Sequence, residues 1–365
     1  YETGTLVIEE NISIAQGTID ETYGTITWVI DAEGELTVEG HGDVAASATD
    51  ISTGRIPWYA YREKITSAKV KVTGMKNAAN LFFDCKNMTS VDLSGFDTSQ
   101  TTNMYRMFGQ CRSLEQLDLS SMNTSSAVNM RNMFFDCRSL KALDLGSFDT
   151  SKVTDMGVMF KTCTALEELN VSSFDTSNVA DTQYMFSGCA SLKYLDVSSF
   201  RTEKVKNARD MFSNCTSLTC LDLSGFDFKN ASKVWKLVNG DTGLTYLCTP
   251  KNMPTDENNI QDLPSNKNDK WYDLKGNVVT TIPAGQAESV TFYKNNKEIL
   301  KQPVGLVAEK EKTIYEWGEE LTLDDLNVAV RYMDESREAV SGYTTNADNI
   351  DMSEPGEKKL HIVYG

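Results

Sequence analysis

Six positions repeat at a fixed interval: Asp92, Asp118, Asp144, Asn170, Asp196 and Asp222 each follow the last by 26 residues. Each ends a short leucine-rich run, as in Leu114-Glu-Gln-Leu-Asp118-Leu-Ser120. If such runs lie side by side as strands, the column becomes a stripe of carboxylates roughly 4.8 Å apart. Carboxylates that close repel one another unless compensated, which is the chemistry of a cation or amine site. The same spacing would give Asp118 and Asp144 the roughly 5 Å separation of a retaining glycosidase pair. Any aspartate column in a stacked sheet gives that distance automatically, and no insertion builds a pocket around it. The competing role is structural: each aspartate accepts hydrogen bonds from a nearby hydroxyl residue such as Ser94, Ser120 or Ser172. The column scarcely changes between copies, which favours that role.

The column two residues earlier does change: Ser90, Gln116, Ala142, Glu168, Tyr194, Cys220 and Tyr246. Variation between copies of a repeat is where a partner can be read. The candidate ligand contacts are therefore Gln116, Glu168 and Tyr194, with Asp118, Asp144, Asn170 and Asp196 beside them. Catalysis finds little support. His41 and His361 are the only histidines and fall far apart, so no histidine-based triad or zinc cluster can be assembled. No glycine-rich phosphate loop is present. The expectation is a non-enzymatic chain with no cofactor and no metal.

The unit that positions these columns is Met104-Tyr-Arg-Met107-Phe108-Gly-Gln-Cys111, repeated as Met130 to Cys137 and again at Met156, Thr182 and Ala208. Cys85, Cys111, Cys137, Cys163, Cys189 and Cys215 keep the same interval without insertion. A constant period of this length with Leu-x-x-Leu-x-Leu inside it predicts a leucine-rich repeat solenoid. Met156, Met159, Phe160 and Cys163 fall at i, i+3, i+4 and i+7, the pattern of one helix face. Thr154 is placed to cap that helix and Asp155 to favour its first turn. Leu166, Leu169 and Val171 then alternate as a strand. The predicted fold class is an α/β leucine-rich repeat solenoid, with a short helix and a short strand per 26-residue coil. β-Hairpin caps close its ends, and a small all-β Ig-like sandwich follows. The six regular cysteines read as unbridged apolar fillers, because stacked copies have parallel Cβ directions. Cys220 and Cys248 lie outside that register, and a bridge between them is left open.

The expected divisions are an N-terminal β cap over 1–62, repeats over 63–250, a closing cap and connector over 251–284, and the sandwich over 285–365. In the first, Thr25–Ile30 and Glu35–Val38 flank a turn at Asp31–Gly34, and Ala45 to Thr53 reads as a loop. In the third, Trp271 to Val279 reads as a hairpin sealing the far end, with Trp235 and Trp271 packed there. In the last, Val290–Tyr293, Lys312–Tyr315, Leu321–Leu323, Val328–Tyr332 and Lys359–Tyr364 read as strands, with turns at Trp317-Gly318 and Pro355-Gly356. The chain has a net charge of −17 and a pI near 4.6. That argues against nucleic acid, since phosphate binding needs a basic surface. The acid excess sits in the flanks; the repeats are close to neutral. No run approaches 18 apolar residues, so no membrane insertion is expected within this chain. Tyr1-Glu-Thr-Gly carries no signal peptide, which fits a cytosolic protein or one whose leader has been removed. The sequence leaves open whether the parent protein continues past residue 365.

The unit Phe-Asp-Thr-Ser-x-Val-x-x-Met-x-x-Met-Phe-x-x-Cys-x-x-Leu-x-x-Leu-Asp-Leu-Ser, best kept over 148–172, resembles the repeat of BspA-like leucine-rich repeat bacterial surface proteins. Gly34 to Gly40, Pro57-Trp58-Tyr59 and Trp271 to Asn277 look like that family's usual lead-in and exit. Tyr315 to Leu321, Val328 to Tyr332 and Pro355-Gly356 are similar to bacterial Ig-like domains. Asp334-Glu-Ser336 departs from the Asp-Gly usual at that turn. The resemblance implies export, display at the cell surface or release outside the cell, and adhesion to host proteins, including extracellular matrix, or to other bacteria. It implies no catalytic residues and names no ligand. The alternative function is carbohydrate or cell-wall binding through Tyr194, Tyr246 and the aspartate column.

Overall fold

In the computed structural model, placement is described for residues 13–21, 24–43, 56–255, 261–266, 269–294, 303–310, 326–332, 337–339, 344–345 and 362–363. The chain divides into two compact units, Tyr1–Phe292 and Tyr293–Gly365. The first opens with β1 (Ala15–Glu21), β2 (Gly24–Ile30), β3 (Glu35–His41) and β4 (Ser67–Thr73), joined by the first repeat strand, β5 (Ser90–Asp92). β1, β2 and β3 pair antiparallel; β3–β4 and β4–β5 pair parallel. The β2–β3 turn is the expected one, with Gly34 at φ +87° and the Glu35 amide on the Asp31 carboxylate. Ile26, Ile30, Leu36 and Val38 bury their side chains in the same core as the repeats.

The helix-plus-strand reading of the repeat is wrong. Among the described residues the only helical element is a 3-10 turn, Pro57–Tyr61. A helical amide donates to the carbonyl four residues back. Here alternate amides leave the coil. Met104, Arg106, Phe108 and Gln110 donate to Asn129, Arg131, Met133 and Phe135 of the next coil, at 2.6–3.1 Å. The intervening amides of Met107, Gly109 and Cys111 close tight turns onto carbonyls three residues back, at 3.0–3.2 Å. Two left-handed residues per coil make this possible, such as Asn132 (φ +59°) with Asp136 (φ +61°), and Val158 (φ +65°) with Thr162 (φ +64°). The caps fail with the helix. The Thr154 hydroxyl donates to Val128 of the preceding coil, and Asp155 accepts the Gly157 amide within its own turn.

The inward face is nonetheless the one the spacing marks: Met156, Met159, Phe160 and Cys163 are all fully buried. Phe82, Phe108, Phe134, Phe160, Phe186 and Phe212 stack with ring centroids 5.5–5.8 Å apart. Phe174, Phe200 and Phe226 form a second stack at 6.0–6.2 Å. Opposite the turns lie the strands β6 (Ala142–Asp144), β7 (Glu168–Asn170), β8 (Cys220–Asp222) and β9 (Tyr246–Cys248), with β6–β7 and β8–β9 paired parallel. Neither Gln116–Asp118 nor Tyr194–Asp196 forms a named strand.

Polar side chains lock each coil to the next. The buried Thr124 hydroxyl donates to the Asp149 carbonyl at 3.0 Å and accepts the Asp149 amide at 2.8 Å. Thr98, Thr150, Thr176 and Thr202 do the same for their neighbours. The cysteine thiols are more than fillers. Cys111, Cys137, Cys163, Cys189 and Cys215 each donate to a phenylalanine carbonyl one coil back, at 3.0–3.2 Å. None of the six regular cysteines is bridged, and Cys220 and Cys248 are not joined to each other. Burial pushes the Cys85 and Cys163 thiols up to about 12, far from the thiolate form that reacts.

Both ends of the ladder are closed by side chains. Asp43 accepts the amides of Lys76 and Asn77 at 2.7 and 2.8 Å, where a preceding coil would have offered a carbonyl. In the last coil the Gln261 amide sits between the Leu237 amide and the Val234 carbonyl, which in the coil before bond directly as Met211 to Ala208. β10 (Gln261–Asp262) is followed by the hairpin of β11 (Trp271–Asp273) and β12 (Val278–Val279), then by β13 (Thr281–Ile282) and β14 (Thr291–Lys294). Trp271 is buried, with its indole N–H on the Pro264 carbonyl at 2.7 Å.

The second unit shows β15 (Pro303–Lys310), β16 (Leu326–Tyr332) and β17 (Arg337–Ala339) as an antiparallel sheet. β18 (Thr344–Thr345) and β19 (Ile362–Val363) form a separate pair. The strands expected at Lys312–Tyr315 and Leu321–Leu323 lie outside the described residues. So do the turns at Trp317-Gly318, Asp334–Ser336 and Pro355-Gly356, and the loop at Ala45–Thr53.

Two outcomes test this architecture. Val158 is β-branched in a left-handed conformation, which costs an L-residue about 1–2 kcal/mol, partly offset by the greater chain entropy a glycine would lose. Val158→Gly should therefore stabilise the protein by about 1 kcal/mol in chemical denaturation, whereas in a helix it would destabilise by a similar amount. Asp241 takes the cysteine position in the last coil, fully buried, with one carboxylate oxygen on the Cys215 amide at 2.8 Å. Its other oxygen has no hydrogen-bond partner among the described residues. Burial pushes its carboxyl up to about 8. The folded state then holds a proton that the unfolded state releases in the ordinary carboxylate range. Stability should fall as pH rises from that range to about 8 and level off above it. Asp241→Asn should remove this slope and be the more stable protein at pH 8, as read by denaturant midpoints across pH.

Candidate interaction surface

The strand face carries the residues singled out by spacing. Ala142 pairs with Glu168 and Asp144 with Asn170, so both columns run across one side of the sheet. Gln116, Glu168 and Tyr194 are exposed, and Tyr194 is 59% accessible, far more than any other tyrosine of the coils. Asp118, Asp144, Asn170 and Asp196 are exposed beside them.

The aspartate column is built from Asx turns. Asp92, Asp118, Asp144, Asp196 and Asp222 each accept the amide two residues on, all at 2.9 Å, and Asn170 does so at 3.1 Å. The Ser94 hydroxyl and then its amide hold the Asp92 carboxyl below the usual range; the Ser120 amide and then its hydroxyl do the same for Asp118. Asn170 relieves repulsion in mid-column, its amide nitrogen donating to Asp144 at 2.7 Å. Among the described residues no group of three or more His, Cys, Asp or Glu could hold a metal ion. The stripe is a row of turn acceptors, with one oxygen of each carboxylate engaged by its own turn.

The variable column ends before its seventh member. Tyr246 is fully buried and Cys248 nearly so, because the chain returns over them: the Thr249 amide donates to Val290 at 3.0 Å, and the Thr249 hydroxyl accepts the Val290 amide. Extending the repeat register to the last coil ignored that cover. Tyr194 is left as the column's exposed aromatic.

A second decorated face lies on the turns, and the sequence reading passed over it. Positions one, two and five after the first residue of each unit include aromatic and basic residues that meet across coils: Lys161 lies 4.1 Å from the Tyr184 ring, and Arg209 lies between Tyr184 and Trp235 at 5.5 and 5.6 Å. The signal was available. These positions vary between copies as much as the strand column does, but assigning them to the outer face of a helix made them ordinary surface.

These features define the first unit as a stack of 26-residue coils with two decorated faces. Residues 60–143 and 137–245 match the family described as a Mycoplasma protein of unknown function, DUF285. Together the matches span more than half of the sequence, and the chain belongs to that family. No curated protein matches it significantly. Among solved structures, a leucine-rich repeat protein from Eubacterium ventriosum ATCC 27560 is similar at 17% identity over 63% of this chain and 77% of that one, with a TM-score of 0.29. That score is too low to equate the two folds. No helix among the described residues is long and apolar enough to cross a membrane.

If the aspartate column serves only its turns, millimolar calcium should leave the melting temperature within about 1 °C, since a ligand that binds only the folded state raises it. A rise of several degrees, abolished by Asp118→Asn with Asp144→Asn, would show a cation site instead.

Proposed function

We propose that this chain is a non-enzymatic interaction module working at the cell surface or outside the cell, and that it binds a protein partner through the strand face. The observation that carries this reading is the pairing of a constant column with a variable one. The Asx turns fix the backbone, and the exposed side chains of Gln116, Glu168 and Tyr194 project from it with no hydrogen bond to another side chain among the described residues. A surface held in this way loses little conformational freedom on binding, which favours affinity. Tyrosine is a frequent energetic centre of protein interfaces. The resemblance of the repeat to BspA-like surface proteins supports the extracellular placement and the choice of host matrix proteins or other bacteria as partners. The carbohydrate reading is the weaker one, since burial of Tyr246 removes the second aromatic it needs.

Surface-based binding assays against a panel of extracellular matrix proteins, run beside a glycan array, test the proposal. Saturable protein binding is expected, and Glu168→Ala with Tyr194→Ala should weaken it roughly 10-fold or more, the effect of losing an interface centre. The melting temperature should be unchanged. Glycan binding without protein binding would contradict the reading.

A further inference from the structure

The two five-stranded sheets of the first unit each end in an edge away from the coil stack, and the two edges are built differently. The C-terminal sheet ends in β12, a strand of two residues, and so short an edge offers another chain little to pair with. The N-terminal sheet ends in β1, seven residues long, with β2 on one side and no strand on the other among the described residues. Its pairing with β2 runs in unbroken register from Ala15↔Ile30 to Glu21↔Gly24. An edge strand carries a row of unpaired amides and carbonyls, which natural proteins blunt with lysine, proline or a bulge. β1 has none of these, and over Ala15–Ile19 it is uncharged.

The edge also carries the alternation that an added strand extends. Gln16 and Thr18 are exposed on the outer face. Ala15 and Ile19 lie on the other face, half-buried against the core. Between them is Gly17, and the Trp28 indole runs beneath it: a Cβ there would meet that ring at 2.7–3.0 Å. Apolar surface is left open at this end of the unit. Ile14, next to β1, is 38% exposed, and Tyr61, whose ring lies 6.2 Å from Trp28, is 37% exposed.

We propose that the free edge of β1 is a self-association site, and that it takes β1 of a second copy of this chain, antiparallel and centred on Thr18. Thr18 is the middle residue of the strand, so this two-fold register alone pairs all seven residues. It sets Thr18 against Thr18 and Gly17 against Ile19. The Ile19 of one copy then falls beside the Trp28 ring of the other, at the position where Gly17 has no side chain, and aromatic–aliphatic neighbours across strands are favourable. Asp20 and Glu21 stand opposite the uncharged Gln16 and Ala15, never opposite their own copies, where like charges would repel. The pairing joins the two N-terminal sheets into one, with the exposed faces of both copies on the same side. Two strand faces in one particle would bind a multivalent partner with avidity. The edge itself does not depend on what the strand face binds. Seven paired residues bury less than the roughly 1,200 Å² of a standard stable interface, so association should be concentration-dependent.

Sedimentation of the whole chain between about 1 µM and about 1 mM tests the proposal. The wild type should pass from monomer to dimer and go no further, because a two-fold contact closes on itself. Thr18→Lys alone, and Thr18→Glu alone, set like charges against each other at the centre and should weaken the dimer about 5-fold. An equimolar mixture of the two variants should form a heterodimer tighter than either variant forms with itself. Thr18 is exposed, so both variants should keep the wild-type melting temperature. A wild type that stays monomeric, larger oligomers, a dimer that neither variant weakens, or a mixture no tighter than its components would each overturn the proposal. So would dimerisation only after removal of residues 1–12, which would give the edge to the chain's own N-terminal segment.

Discussion

Everything in the repeat region follows from the handing of alternate backbone amides to the next coil. A helix satisfies its amides internally and leaves neighbours to side-chain packing. Here Phe108, Phe134 and Phe160 each donate to a carbonyl 25 residues ahead, so no coil completes its hydrogen bonding alone. The 26-residue interval is thereby enforced, since one inserted residue would put the coil that carries it out of register with the coils on either side. At the first coil Asp43 supplies the acceptor that a preceding coil would have given, and in the last coil the Gln261 amide is inserted into a turn that earlier coils close directly.

The side-chain ladders depend on that register. With coils held in step, phenylalanine meets phenylalanine, the threonine hydroxyls bridge from one coil to the next, and each cysteine thiol finds a carbonyl. A hydroxyl that both donates and accepts leaves no buried polar group unmatched, which is why threonine recurs at Thr98, Thr124, Thr150, Thr176 and Thr202 although those sites are closed to water. The regular interior lets the surface differ from coil to coil at little structural cost. The two decorated faces sit on opposite products of the same alternation, strands on one side and turns on the other.

Much of this was legible in the residues. The period, the inward set of Met, Phe, Cys and Leu, the unbridged cysteines, the β2–β3 hairpin and the turn role of the Asp-x-Ser motif are all present as read. The helix is not, and the reason is physical. Apolar residues at i, i+3, i+4 and i+7 mark one face of a helix, but successive tight turns of three-residue closure place the same residues inward. What separates the two is the residue needed in the left-handed region. At the sixth position after each unit's first residue, Asp84, Asp136, Gly188, Asn214 and Gly240 are types that tolerate it, while Gln110 and Thr162 adopt it without that preference. A column with Asp, Asn or Gly in five of its seven copies inside a would-be helix was the available warning. The burial of Tyr246 was not legible, because it depends on the distant Val290 bonding to Thr249 beside the last coil.

Trans-hydrogen-bond scalar couplings, measured on perdeuterated protein, test the central claim most directly, because they detect which carbonyl each amide contacts. The structure predicts couplings from the Phe108 nitrogen to the Met133 carbonyl carbon, from Phe134 to Met159, and from Phe160 to Met185. Couplings from these nitrogens to the carbonyls four residues earlier in their own coils would show a helix after all and contradict the account.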